Sequence, residues 1–145
     1  MAGIHPQIRC YIPLTAEHVR ALHEDGKVEG DLVAFVVTDS VRRSDPDGDV
    51  EAWEFAALQD AAGYCLQEGQ PVLVAAADVG RDAIDDSGPT GSRVLVRGPV
   101  ALPRIASLHL GDDLVGVTAQ VSDDESVVEL SWYDATELVD VRALL

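Results

Sequence analysis

Apolar residues in this chain fall into short runs, split by acidic stretches and by glycine- or proline-rich ones. Arg9 to Leu14 (RCYIPL) reads as a strand ended by Pro13, because proline has no N–H to give to a ladder. Thr15 then stands where a helix N-cap is expected, with Ala16 and Glu17 in the first turn, where a carboxylate suits the helix dipole. Val19 and Leu22 share one face of that helix, and Gly26 is placed to end it. Leu32 to Val37 (LVAFVV) is a continuous apolar run of the kind buried on both faces of a sheet, so it needs cover from helices.

The stretch SVRRSDPDGD, centred on Pro46 and Gly48, predicts a turn. Asp49 can cap a second helix, whose Trp53, Ala57, Ala61, Tyr64 and Cys65 recur at near-helical spacing until Gly69 and Pro71 stop it. Val72 to Ala77 reads as a third strand. The acidic segment Asp78 to Ser92, ending in SGPTGS, reads as a mobile surface loop. Further strands are expected at Arg93 to Val96 and Ile105 to Leu110, and a hairpin from Val115 to Val121 and Val127 to Trp132. Asp134 and Glu137 have capping-box spacing ahead of a last helix carrying Leu138, Val141 and Leu145. The pattern therefore predicts one α/β domain over 1–145, α+β in the looser sense. It opens βαβαβ, continues mostly in strands and closes on a helix, with two main helices covering a mostly buried sheet.

Composition narrows the classes. A chain of 145 residues, 47% hydrophobic, can build a core without disulfides or metal. Two cysteines are too few for a disulfide framework. No apolar run approaches the roughly 20 residues of a membrane span, and no signal-type block opens the chain, so a cytoplasmic protein is expected. Asp and Glu number 26 against 10 Lys and Arg, a net charge of -16. That field repels phosphate backbones and anionic lipid, which argues against direct nucleic-acid or membrane binding and favours a basic partner. Lys27 is the lone lysine beside nine arginines, and asparagine is absent. This bias fits a GC-rich genome, while seventeen aspartates also suit a salt-loving organism.

Candidate chemistry is sparse. Asp45-Pro46-Asp47-Gly48-Asp49 begins like a calcium loop, but the glycine position holds Val50 and the twelfth position Ala56. A turn followed by an N-cap explains these residues. His18 and His23, five apart on one helix, do not share a face, and His109 sits in an apolar strand, so no metal is expected. The sequence contains no nucleophile elbow, P-loop or dinucleotide fingerprint, and no cofactor is expected. Cys10 and Cys65 read as small buried hydrophobes. The paired carboxylates Asp85-Asp86, Asp112-Asp113 and Asp123-Asp124-Glu125 read as solvated loop charges.

Taken together, RCYIPLT, LVAFVVT, PVLVAAADV, SWYDATEL and the helix around EAWEFAALQDAA resemble a family of uncharacterised actinobacterial proteins over nearly the whole chain. The resemblance implies an actinobacterial source and transfers no site. In layout, the strand–helix–GKVEG–strand–helix–VLVAAADV order followed by RVLVRGPVALPRIASLHL is similar to small bacterial proteins of ADP-ribosyltransferase-like architecture. That second resemblance implies a histidine in an early strand, a tyrosine and a late acid. The comparable strands here carry Arg9, Tyr11 and Val36 or Val37, without histidine, and Glu129 or Glu137 would be the late acid.

The expected function is thus a non-enzymatic interaction or regulatory protein with a basic partner. The alternative is a small enzyme or nucleotide-binding protein on that scaffold, with Arg9, Tyr11, Thr38 and Glu129 as the residues to inspect. A third option is a homo-oligomer using Trp53, Trp132 and Tyr133, although most aromatics are expected in the core.

Overall fold

A computed structural model describes residues 7–85, 91–111 and 128–145. The chain forms β1 (Gln7–Pro13), α1 (Ala16–Asp25), β2 (Lys27–Val28), β3 (Asp31–Phe35), α2 (Asp39–Ser44), α3 (Val50–Glu68) and β4 (Leu73–Gly80). It continues with β5 (Ile84–Asp85), β6 (Arg93–Arg97), β7 (Val100–Ala101), β8 (Ile105–Gly111), β9 (Leu130–Asp134) and α4 (Leu138–Leu144). Seven strands make one sheet in the order β5-β6-β3-β1-β4-β8-β9, every pair antiparallel, while β2 and β7 pair apart from it. The mixed α+β class read from the sequence is the class observed.

The sheet is covered on both faces, as its apolar runs require. Cys10 and Ile12 of β1, and Leu14 just after it, point to one side, where Val19 and Leu22 of α1 and Leu138 and Val141 of α4 complete the larger core. Tyr11, one residue out of phase, points to the other, with Phe35, Val74, Ala76 and the small residues Ala57, Ala61, Ala62 and Cys65 of α3. The helix stripe expected from Trp53 to Cys65 is shifted: Ala62 joins the buried set, and Trp53 and Tyr64 are half-buried.

Local signals place the helix ends. The Thr15 side chain accepts from the His18 N–H at 3.2 Å while His18 Nδ1 accepts from the Thr15 N–H at 3.0 Å, a reciprocal capping box. Asp49 caps α3 by accepting from the Ala52 N–H at 2.9 Å. Gly26 and Gly69 end α1 and α3 at φ 76° and 69°, the left-handed region that favours glycine.

Several expectations need correction. Asp78 does not begin a loop: β4 runs on to Gly80, and Ile84–Asp85 form an edge strand against β6, because the β4 ladder extends to Gln7 of β1. The turn predicted before Asp49 is preceded by α2, nucleated by Thr38 accepting from the Val41 N–H. The box at Asp134 and Glu137 closes a 3-10 turn, Ala135–Glu137, that leads into α4. Of the expected hairpin, 115–121 and Val127 lie outside the described residues, and the second strand falls later, at Leu130–Asp134. The aromatics are not mainly core: Tyr11 and Phe35 are buried, but Phe55 is 49% and Trp132 62% exposed. No helix among the described residues is long and apolar enough to cross a membrane.

Candidate functional site

Polar side chains gather on the α3 side of the sheet, near the N-terminal half of that helix. Alternation along β1 puts Arg9 beside Tyr11 on this face. Opposite Arg9 in register stands Asp78 of β4. The guanidinium grips it with two bonds, Nε–Oδ1 at 2.8 Å and Nη2–Oδ2 at 3.1 Å. Two strands over, Ser107 and His109 of β8 share this face, because Leu108 and Leu110 between them enter the other core. Ser107 Oγ lies 3.0 Å from His109 Nε2, and exposed Trp132 of β9 stands opposite His109. Ala76, between Tyr11 and Ser107, is buried in the core under α3.

Electrostatics define what these groups can do. The Asp78 hydrogen bond raises the Arg9 pKa, so the guanidinium is a fixed charge. Burial, aided by Arg9, lowers the His109 pKa, which leaves a neutral imidazole at pH 7. Burial pushes Tyr11 up to about 12, with Glu54 of α3 adding to the effect, so its hydroxyl keeps its proton. A neutral histidine beside a serine hydroxyl has the spacing of a base and its nucleophile. However, Ser107 is only 6% exposed. No third group among the described residues orients the imidazole, and the two Arg9 donors facing Asp78 are spent on it.

The four residues singled out from sequence do not converge. Arg9 and Tyr11 share the face just described. Thr38 stands at the start of α2, its hydroxyl donating to the Gly91 carbonyl at 2.7 Å as well as capping the helix. Glu129 is exposed and precedes β9 at the opposite end of the sheet, about 20 Å along the strands from Arg9 at ~3.3 Å per residue. Glu137, the other late acid, spends its carboxylate on the Asp134 N–H at 3.3 Å. The sequence does not group Asp78, Ser107 and His109 as one site. Register alone brings Asp78 to Arg9, whereas the alternation of ASLHL around Leu108 and Leu110 already signals that Ser107 and His109 face together.

Other sequence candidates resolve into structural roles. Asp45 ends α2, and its carbonyl accepts from Trp53 Nε1 at 2.9 Å and from the Gly48 N–H at 3.0 Å. The aspartate-rich stretch is therefore a helix–turn–helix joint. No cluster of metal-ligating side chains occurs among the described residues. Both cysteines are free and buried, and burial pushes the Cys10 thiol up to about 12 and raises that of Cys65, so neither is a thiolate at neutral pH.

A family model described as "Family of unknown function (DUF6912)" matches residues 8–141. No curated protein and no solved structure matches the chain.

Proposed function

The chain belongs to this family of unknown function, and we propose that it acts as a non-enzymatic interaction or regulatory module whose acidic surface receives a basic protein partner. One observation carries this reading: the protein's cations are largely spent on itself. Arg9, Arg20, Lys27, Arg42, Arg97 and Arg142 each pair with a carboxylate of the same chain. Arg93 lies over the Tyr64 ring at 5.3 Å. With ten cations against 26 acids, most carboxylates have no intramolecular counter-charge to meet. Such a surface attracts a basic partner and accelerates encounter with it. The setting that goes with this reading is the cytoplasm, which cell fractionation would check.

The test is capture from native lysate followed by reconstitution with the purified partner, with affinity measured across a salt series. Affinity for a basic partner should fall steeply between 50 and 500 mM NaCl, as screening shortens the range of the field. A partner whose binding ignores salt would overturn the reading.

A second reading, a small enzyme or nucleotide-binding protein on an ADP-ribosyltransferase-like scaffold, draws on the Ser107–His109 contact on the same face as Arg9. A nucleotide carried through purification and released on denaturation would favour it, and loss of that nucleotide in Arg9→Ala would place it on this face.

A further inference from the structure

We propose that the cleft between the start of α2 and the turn after β4 is a binding site for a small monocarboxylate with a short apolar tail. This site is separate from the polar face around Arg9, and the inference does not rest on the partner reading. The cleft has a volume of about 230 Å³. That is below the roughly 300–1,000 Å³ of pockets for drug-sized ligands, a size that suits a small ligand.

Its lining has two characters. Ile8, Val36, Val37 and Ile84 supply an apolar wall, while Thr38, Asp39, Arg42 and Arg81 supply the polar part. Two guanidiniums against one carboxylate give the cleft a positive excess, in a chain whose net charge is -16. Arg42 is held in place: its Nη1 donates to Asp39 Oδ1 at 2.8 Å, and its guanidinium lies 5.9 Å from the Trp53 ring centre. Arg81 makes no ion pair with any described residue. Arg43 and Arg104 also lack an ion pair among the described residues, but of the three only Arg81 lines the cleft, where it can meet an anion from outside. The planar fork of arginine suits a carboxylate by paired N–H bonds.

Phosphate fits less well because it leaves the apolar wall of Ile8, Val36, Val37 and Ile84 uncovered, whereas a three-carbon tail covers it. Thr38 is committed to Gly91 and Val41 and would serve as wall rather than donor.

The test is a titration of the full-length ¹⁵N-labelled chain with sodium butyrate at constant ionic strength, followed by amide shifts. Butyrate should give saturable shifts centred on Val37, Thr38, Arg81 and Ile84, and n-butanol at equal concentration should not. Arg81→Gln should weaken apparent affinity about tenfold, the loss of a charge-assisted bond, while the exposed control Arg104→Gln should leave it unchanged. Shifts that do not saturate, that spread over the surface, or that keep the same apparent affinity in Arg81→Gln would overturn the site. Tighter binding of inorganic phosphate than of butyrate would overturn the carboxylate assignment.

Discussion

A methyl group added at Gly98 would land on the backbone of Gly30, against its carbonyl oxygen and within 3.1 Å of its nitrogen. Backbone cannot swing aside as a side chain can, and the Gly98 N–H also donates to that same carbonyl at 3.0 Å. Gly98→Ala should therefore destabilise the fold by about 1–3 kcal/mol or more, read from urea midpoints. Gly63 sits inside α3 with nothing within 4 Å of an added Cβ. There the same substitution removes only the entropic cost of glycine in a helix, so Gly63→Ala should stabilise by about 0.5–1 kcal/mol. Equal or same-signed shifts would mean the two environments are misread.

His18 offers a pH-dependent case at the same scale. Its Nδ1 must be unprotonated to accept from the Thr15 N–H, and burial lowers its pKa, with Glu17 partly opposing. His109 is lowered in the same direction. Between the folded and the unfolded pKa the unfolded chain binds more protons, so this stability is complete above about pH 6.5 and is lost as pH falls below it. The urea midpoint should drop from pH 7.5 to 5.5, a window above the range in which carboxylates titrate. His18→Gln should flatten part of that slope, because glutamine at the third helical position can still close the capping box without titrating. An unchanged slope in the variant would remove His18 from the account.

Among elements, the docking of α4 separates burial from charge. Leu138 and Val141 are 4% and 0% exposed against the larger core, while Arg142 reaches Glu24 of α1 at 2.9 Å from a half-exposed position. Burial decides: Leu138→Ala should cost about 2–5 kcal/mol, and Arg142→Ala less than about 1 kcal/mol, in the same denaturation experiment. Local elements of this kind were legible in the sequence because their causes are local. Thr15, Asp49, Gly26 and Gly69 cap the helices they were expected to cap, and the alternating Val94 and Val96 report a strand. Signals that need a partner from far along the chain were not legible. Asp78–Gly80 looks like acidic loop until β1 pairs with it, and Lys27–Val28 becomes a strand only because Val100–Ala101 arrives beside it. Gln59 reads as an ordinary surface residue of α3, yet it brackets the backbone of Val128 with bonds of 2.7 and 2.9 Å and fixes the entry to β9. The candidate site shares this limit: Arg9 and Tyr11 follow from alternation on one strand, but Asp78 joins them only through register.

At the scale of the whole molecule, two electrostatic effects oppose each other, and salt separates them. The ion pairs that hold the cations sit at half-exposed or exposed positions, such as Arg20 with Glu17 and Glu24, Arg42 with Asp39, and Arg97 with Asp85. Pairs of this type contribute little to stability, and added salt weakens them. The surplus carboxylates repel one another over the whole surface, and compactness itself raises that repulsion. A net charge of -16 on 145 residues makes the second effect the larger. Raising NaCl from 10 mM to 1 M shortens the screening length from about 30 Å to about 3 Å, which removes long-range repulsion more completely than contact pairing. The melting temperature should therefore rise with NaCl, most steeply at the low end of the series. A melting temperature that falls with salt would show that pairing outweighs repulsion. The net charge stays at -16 whichever way the melting temperature moves, so the partner reading is decided by the salt dependence of binding itself.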